Sequence, residues 1–446
     1  MSAKIFRDPI YNYVSIDRAT DSWLIRLLDC PEIQRLRRIH QLGISNFTYP
    51  GAEHSRLSHS LGVLSLMQVA LAHLAHGGHR GIQVTNARSA LLAAALLHDV
   101  GHGPFSHVFE PCLGIHHEEW SRQIILAEDS ACHKVLKSVD RFLPSKVADL
   151  IDPDNREDPS WMKYLLSSQL DVDRLDYLQR DSSFSGAGYG HYDWFRILNS
   201  FQLYGSEKED RAIVWEQKSI WALEEYVFAR YYMFQNVYLH KTTRGFEKML
   251  EALWRRGREM FHSGDAASLV SPIREFWTVQ DITNYLRIEE FTVLHQIQKW
   301  AECTDKFLSD LSRRFMNRKP LSLISLPVCF DEIHDGIDRA AKLDQWHNAL
   351  CEVVEAAQFP SEWYCLRDEV KPKYHQPYFP EKEEDEQSPK TAIRVLQNGQ
   401  TRPVEISMLC PRLQPVAVRV APTVRHYVPP ELRNAANELR LRWKPT

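Results

Sequence analysis

Apolar positions recur at helical spacing over the first two thirds of this chain and in short alternating runs after that. Downstream of His59, Leu61, Leu64, Met67, Val69, Ala70, Leu71 and Leu74 form a stripe broad enough for a helix buried on most sides. Ser89 to Leu97 is an Ala/Leu-rich run that Gly101, Gly103 and Pro104 cannot continue, which predicts a buried helix stopping at His98 and Asp99. The glycines at 77, 78 and 81 predict a loop between these two helices. Trp221 to Leu253 contains no proline and one glycine, and predicts a long aromatic-rich helical stretch.

From about residue 320 the texture changes. SLISLPVCF and WYCLRDEV are short β-branched or aromatic runs, and Asn398-Gly399 between two strand-like segments is a hairpin signal. The expectation is a mainly α protein: a bundle-like helical core over 1–318 and a smaller C-terminal α+β lobe over 319–446. Prolines and an acidic run make 371–390 an expected exposed loop.

Composition narrows the class. With 446 residues and 44% hydrophobic content the chain can bury a substantial core. No stretch reads as the roughly 20 apolar residues of a membrane span, and the first residues lack an apolar signal core, so neither membrane insertion nor secretion is expected. The cysteines at 30, 112, 132, 303, 329, 351, 365 and 410 show no CxxC and no regular spacing, which argues against a structural zinc site or a disulfide framework and fits a reducing cytoplasm. A net charge of -4 and a pI near 6.6 give no global case for nucleic acid as the favoured partner.

The candidate chemistry sits in polar residues that interrupt apolar helices. His59 in RLSHSLG, His98-Asp99 at the end of ALLHD and Asp173 in DVDRLDY offer two imidazoles and two carboxylates, a set suited to one divalent ion such as Mn, Fe, Mg or Zn. Buried carboxylates need a compensating charge, and a metal ion supplies it. Such a centre leaves room for water and a phosphate oxygen, the requirement for hydrolysis.

These segments, with KIFRDPIYNYV, QLG at 41–43, YPGAEHSRLSHSLGV, HDVGHGPFSHVFE, YLHK at 238–241 and TAIRVLQNGQTRPVEIS, resemble the HD-domain phosphohydrolases. More narrowly they resemble the deoxynucleoside triphosphate triphosphohydrolases (dGTPase-like dNTPases) typified by the vertebrate SAM-and-HD-domain dNTPase. The HD-type sequence begins within the first ten residues, so no N-terminal SAM module is expected. The resemblance implies hydrolysis of a dNTP to deoxynucleoside and tripolyphosphate. It also implies His107 with Glu110 as the proton-handling pair, with His117 and Glu118 as a second pair. Arg56, His102, Arg174, Arg230 and Lys241 would hold the phosphates. Gln41, Leu42, Tyr177, Asp181 and Tyr238 would hold the sugar and base, Gln41 and Asp181 at the 3′-hydroxyl and Leu42 with Tyr238 filling the space of a 2′-hydroxyl.

The family's effector sites lie between subunits, and Lys4, Ile5, Asp29, Gln34 and Arg37 match part of a guanine-nucleotide set. A homotetramer or homodimer responding to GTP or a dNTP is therefore expected. Arg7 replaces the family's usual asparagine, and Glu216 replaces an arginine while Lys218 is kept. The competing reading is an HD-type phosphodiesterase or nuclease acting on DNA ends or a signalling nucleotide.

Overall fold

The computed structural model describes residues 3–76, 82–105, 108–110, 116–152, 161–205, 211–264, 269–331, 337–370, 378, 392–417 and 423–444. These residues form two compact units interleaved along the chain. The first comprises 1–233, 280–290 and 377–418; the second comprises 234–279, 291–376 and 419–446. The sequence had suggested one cut near 318. The interleaving has a visible source: the strands flanking Asn398-Gly399 do form a hairpin, but it pairs with a strand some 180 residues earlier.

In the first unit, β1 (Ala3–Asp8) and β2 (Asn12–Asp17) make an antiparallel hairpin that the helical reading of this region did not anticipate. The helical core follows. Helix α1 (Arg56–His76) packs against α2 (Ile82–Leu97) and α3 (Val172–Ser185). Of the apolar stripe on α1, Leu64, Met67, Ala70, Leu71 and Leu74 are buried while Leu61 and Val69 are half-buried, and Leu57, Val63 and Leu66 are buried besides.

By length and composition α1 is apolar enough to cross a membrane, which corrects the reading that no stretch of the chain is; 61% of that apolar window is buried inside the protein. It also carries buried His59, ion-paired within the core, as befits a core helix.

A four-stranded sheet completes this unit. β3 (Phe201–Tyr204) and β4 (Ala212–Glu216) are antiparallel, β7 (Arg394–Leu396) runs parallel to β4, and β8 (Val404–Glu405) closes the edge antiparallel to β7. The β3–β4 pair was also absent from the helical reading.

The second unit carries the long helix α5 (Lys241–His262) and an antiparallel sheet of β5 (Ser322–Ile324), β9 (Thr423–Val428) and β6 (Leu366–Val370), with β9 in the middle. The SLISL and WYCLRDEV runs are the outer strands. The aromatic stretch from 221 is not one helix: α4 (Ile220–Met233) ends, a π turn spans Phe234–Tyr238, and α5 starts anew with His240 as its N-cap, the ring accepting from the Thr242 amide at 3.3 Å. Trp254 and Trp300 meet edge to face at 5.9 Å in its core.

Candidate metal centre

His59 lies one turn into α1, His98 and Asp99 follow the last turn of α2, and Asp173 sits in the first turn of α3. Three helix ends therefore converge. His59 Nε2 is 3.2 Å from His98 Nε2, 3.0 Å from Asp173 Oδ1 and 3.7 Å from Asp99 Oδ2. His98 Nε2 is 3.4 Å from Asp99 Oδ1 and 3.6 Å from Asp173 Oδ1. Ligand atoms at neighbouring corners around an ion with bonds of about 2.1 Å lie about 3 Å apart, so these spacings fit one divalent ion.

The other ring nitrogens strengthen the fit. His98 Nδ1 is 3.0 Å from the Ala95 carbonyl and His59 Nδ1 is 2.8 Å from Asp176 Oδ2. With each Nδ1–H donated outward, each Nε2 lone pair faces the common centre. Asp173 is the exposed member of the set, about a third accessible, and marks the side open to solvent.

Asp176 was not among the residues singled out from the sequence. It is fully buried, bound by Arg180 at 2.8 and 2.9 Å, and Arg180 also reaches Asp8 on β1 at 2.9 Å. The local signal was there, since Asp173, Asp176 and Arg180 lie at i, i+3 and i+7 on one helix face; the remote partner Asp8 was not. Gly62 leaves the space: a Cβ there would stand 1.8 Å from Asp176 Oδ1.

Burial opposes charging of His59, but Asp173 and Asp176 outweigh it and push the imidazole up to about 10 before any ion enters. Asp99 and Asp173 are held well below the usual carboxylate range: burial raises them, and the facing histidines, with Arg56 for Asp99, more than reverse it.

Arg56 is buried, with Nη1 2.5 Å from Asp99 Oδ2 and Nη2 3.4 Å from the Gln41 carbonyl. His102, read from the resemblance as one of the phosphate-binding cations, carries no charge here. Desolvation, then Arg56 and His117, drive its pKa well down, so it can offer only a neutral ring, 3.3 Å from Asp99. Its plane stacks on His117 at 3.7 Å. His117 in turn hydrogen-bonds Glu110, with Glu118 at 3.3 Å, so Glu110 stands nearer to His117 than its expected partner Glu118 does. His107 lies outside the described residues.

The loop carrying these groups is fixed from below. Arg35 donates to the carbonyls of His102 and Ile288 at 2.7 and 2.9 Å, Tyr285 donates to the Gly101 carbonyl at 2.6 Å, and Phe105 takes a positive φ of 56°.

On α3, Arg174 lies 3.2 Å from Asp171, the helix N-cap, and its charge is felt by Arg230 of α4 and by Tyr177. Burial and then Arg174 depress the Arg230 pKa. Arg174 itself is held charged by Tyr177 and Asp171, which outweigh its burial.

Gln41 and Asp181 join through His54, another residue the sequence reading passed over, and Arg56 reaches the Gln41 carbonyl. The Gln41 amide donates to the His54 carbonyl at 2.9 Å, and His54 Nε2 meets Asp181 Oδ1 at 2.7 Å. Leu42 is half-buried beside Gln41. Tyr238, on the π turn against Phe234, and Lys241, exposed at the start of α5, belong to the second unit. Of the expected effector set, Lys4 is 3.8 Å from Asp29, Arg37 donates to Gln34 at 2.7 Å, and Ile5 is exposed on β1. Glu216 pairs with Lys218 at 2.5 Å.

Comparison with known proteins gives a consistent picture. The HD domain family matches residues 56–181, a span that holds all four candidate ligands. Protein YwfO of Bacillus subtilis is 37% identical over 320 residues, 71% of this chain and 70% of its own length. The deoxynucleoside triphosphate triphosphohydrolase SAMHD1 of Homo sapiens is 28% identical over 280 residues, 55% of this chain and 43% of that protein. A crystal structure of a phosphohydrolase from Bacteroides thetaiotaomicron superposes with a TM-score of 0.75 at 26% identity, covering 95% of this chain and 99% of that one.

Proposed function

The chain belongs to the HD-domain phosphohydrolases, metal-dependent hydrolases, and from that premise we propose that its substrate is a deoxynucleoside triphosphate, cleaved to deoxynucleoside and tripolyphosphate. The observation that carries this reading is the convergence of His59, His98, Asp99 and Asp173 next to buried Arg56. A triphosphate's charges would be met by Arg56, with Arg174 and Arg230 as further candidate cations.

A divalent ion at the four ligands supplies Lewis acidity toward water and the α-phosphorus. The chain's own residues do the rest. Asp176 fixes the His59 tautomer, Arg56 neutralises Asp99, and the Glu110–His117 pair holds a proton for the departing 5′-oxygen. Neutral His102 can donate a hydrogen bond to a phosphate oxygen without adding charge. Gln41 and Asp181 are assigned to the 3′-hydroxyl.

We extend the proposal to a cytoplasmic homo-oligomer, dimer or tetramer, that answers to GTP or a dNTP at Lys4, Ile5, Asp29, Gln34 and Arg37.

The test is product analysis: protein with Mn²⁺ or Mg²⁺, each dNTP singly and then all four, products resolved by anion exchange. Deoxynucleoside with tripolyphosphate is the expected pair, with turnover in mixtures but not in single nucleotides if effectors act. Inertness toward every dNTP mixture, with cleavage of single-stranded DNA or a cyclic nucleotide instead, would replace the triphosphohydrolase reading with the phosphodiesterase or nuclease one.

A further inference from the structure

Spacing along the chain gave no reason to expect a second metal site, yet folding of the second unit gathers thiols and imidazoles. His347 and Cys351 lie four residues apart on the helix Ile337–Ala356, and so share one face. Cys365 caps the C-terminus of the short helix Ser361–Tyr364. His347 Nε2 is 3.6 Å from Cys351 Sγ, and Nδ1 is 3.9 Å from Cys365 Sγ. One ligand atom from each of the three falls within 4.8 Å of the others. Around a tetrahedral zinc-like ion, with bonds of about 2.3 Å to sulfur and 2.0 Å to nitrogen, S···N and S···S separations are about 3.5 and 3.8 Å, and His347 would give the ion one of its two ring nitrogens.

A fourth group stands beside them. His426, on the central strand β9, is fully buried, and neither ring nitrogen has a hydrogen-bond partner. Its ring centre is 5.4 Å from that of His347. A buried imidazole without a partner for either nitrogen is costly unless something binds it.

We propose that Cys351, Cys365 and His347, completed by His426, form a structural site for a thiolate-seeking divalent ion of the zinc class. Two thiolates balance the ion's charge, and the neutral histidines fill the remaining corners. The ion would clamp the helix Ile337–Ala356 to the sheet through β9 and the residue that leads into β6. The site is independent of the HD centre, which contains no sulfur.

That difference supplies the test. Cobalt is titrated into reduced, chelated full-length protein and the near-ultraviolet thiolate-to-cobalt charge-transfer band is read. The band is expected in wild type, in Asp173→Ala and in Cys30→Ser, and is expected to vanish in Cys351→Ser. Should Cys351→Ser fold poorly, alkylation of the wild-type thiols decides: zinc is expected to slow modification of Cys351 and Cys365 but not of Cys303. No charge-transfer band in fully reduced protein, or equal alkylation rates with and without zinc, would overturn the site. Recovery of a Cys351–Cys365 disulfide from a protein that binds no cobalt once reduced would make the pair a redox couple instead.

Discussion

His59 depends on a buried chain of charge that runs from Asp176 through Arg180 to Asp8. Asp176→Asn keeps the shape but removes the acceptor charge, and should weaken metal affinity about 10- to 100-fold in a calorimetric titration. Gly62→Ala forces a methyl onto Asp176 Oδ1 and Arg180 Nη2. It should cost about 3 kcal/mol in urea unfolding and lose metal with it; an unchanged midpoint would mean the helices separate there freely. His117→Ala should keep the metal, as judged by metal content, and lower kcat by about 10²- to 10⁴-fold. At this scale the four candidate ligands could be singled out because each polar residue lies at or near the end of an apolar helix. The lowered pKa of His102 was not legible, because it follows from burial and then from Arg56, 46 positions away in sequence.

Among elements, the buried helices were legible where the apolar period ran unbroken, as in α1 and α2. The β1–β2 hairpin was not: β1 mixes half-buried and exposed positions before Asp8, and the alternation of β2 rests on Val14 and Ile16 alone. The break between α4 and α5 escaped because neither proline nor glycine marks it; the cap is a histidine. One inter-element tie has a pH signature. Glu290 is buried, accepts from the His40 amide at 2.8 Å and the Phe105 amide at 3.3 Å, and bonds the His40 ring. The bond to Glu290, acting against burial, pushes His40 from 6.5 up to about 9. The folded state therefore keeps its proton longer than the unfolded chain. Its contribution is fully present below 6.5 and is lost as the pH rises through about 9. Urea midpoints should fall across that window by the equivalent of about 1–3 kcal/mol, and His40→Gln should flatten the slope.

For the whole molecule, the helical HD core was legible from periodicity and motif together, whereas the interleaving of the two units was not. The latter rests on the pairing of β7 with β4, a contact that no local pattern encodes. The central claim is that one ion held by His59, His98, Asp99 and Asp173 does the hydrolysis. Its most direct test is to chelate the protein, restore Mn²⁺ stepwise, and follow bound ion by electron paramagnetic resonance alongside deoxynucleoside release from a four-dNTP mixture. Turnover should return in step with one Mn²⁺ bound per chain, and Asp173→Ala, folded by circular dichroism, should bind none at that site and release nothing. Full turnover by the chelated protein, or by Asp173→Ala, would contradict the account.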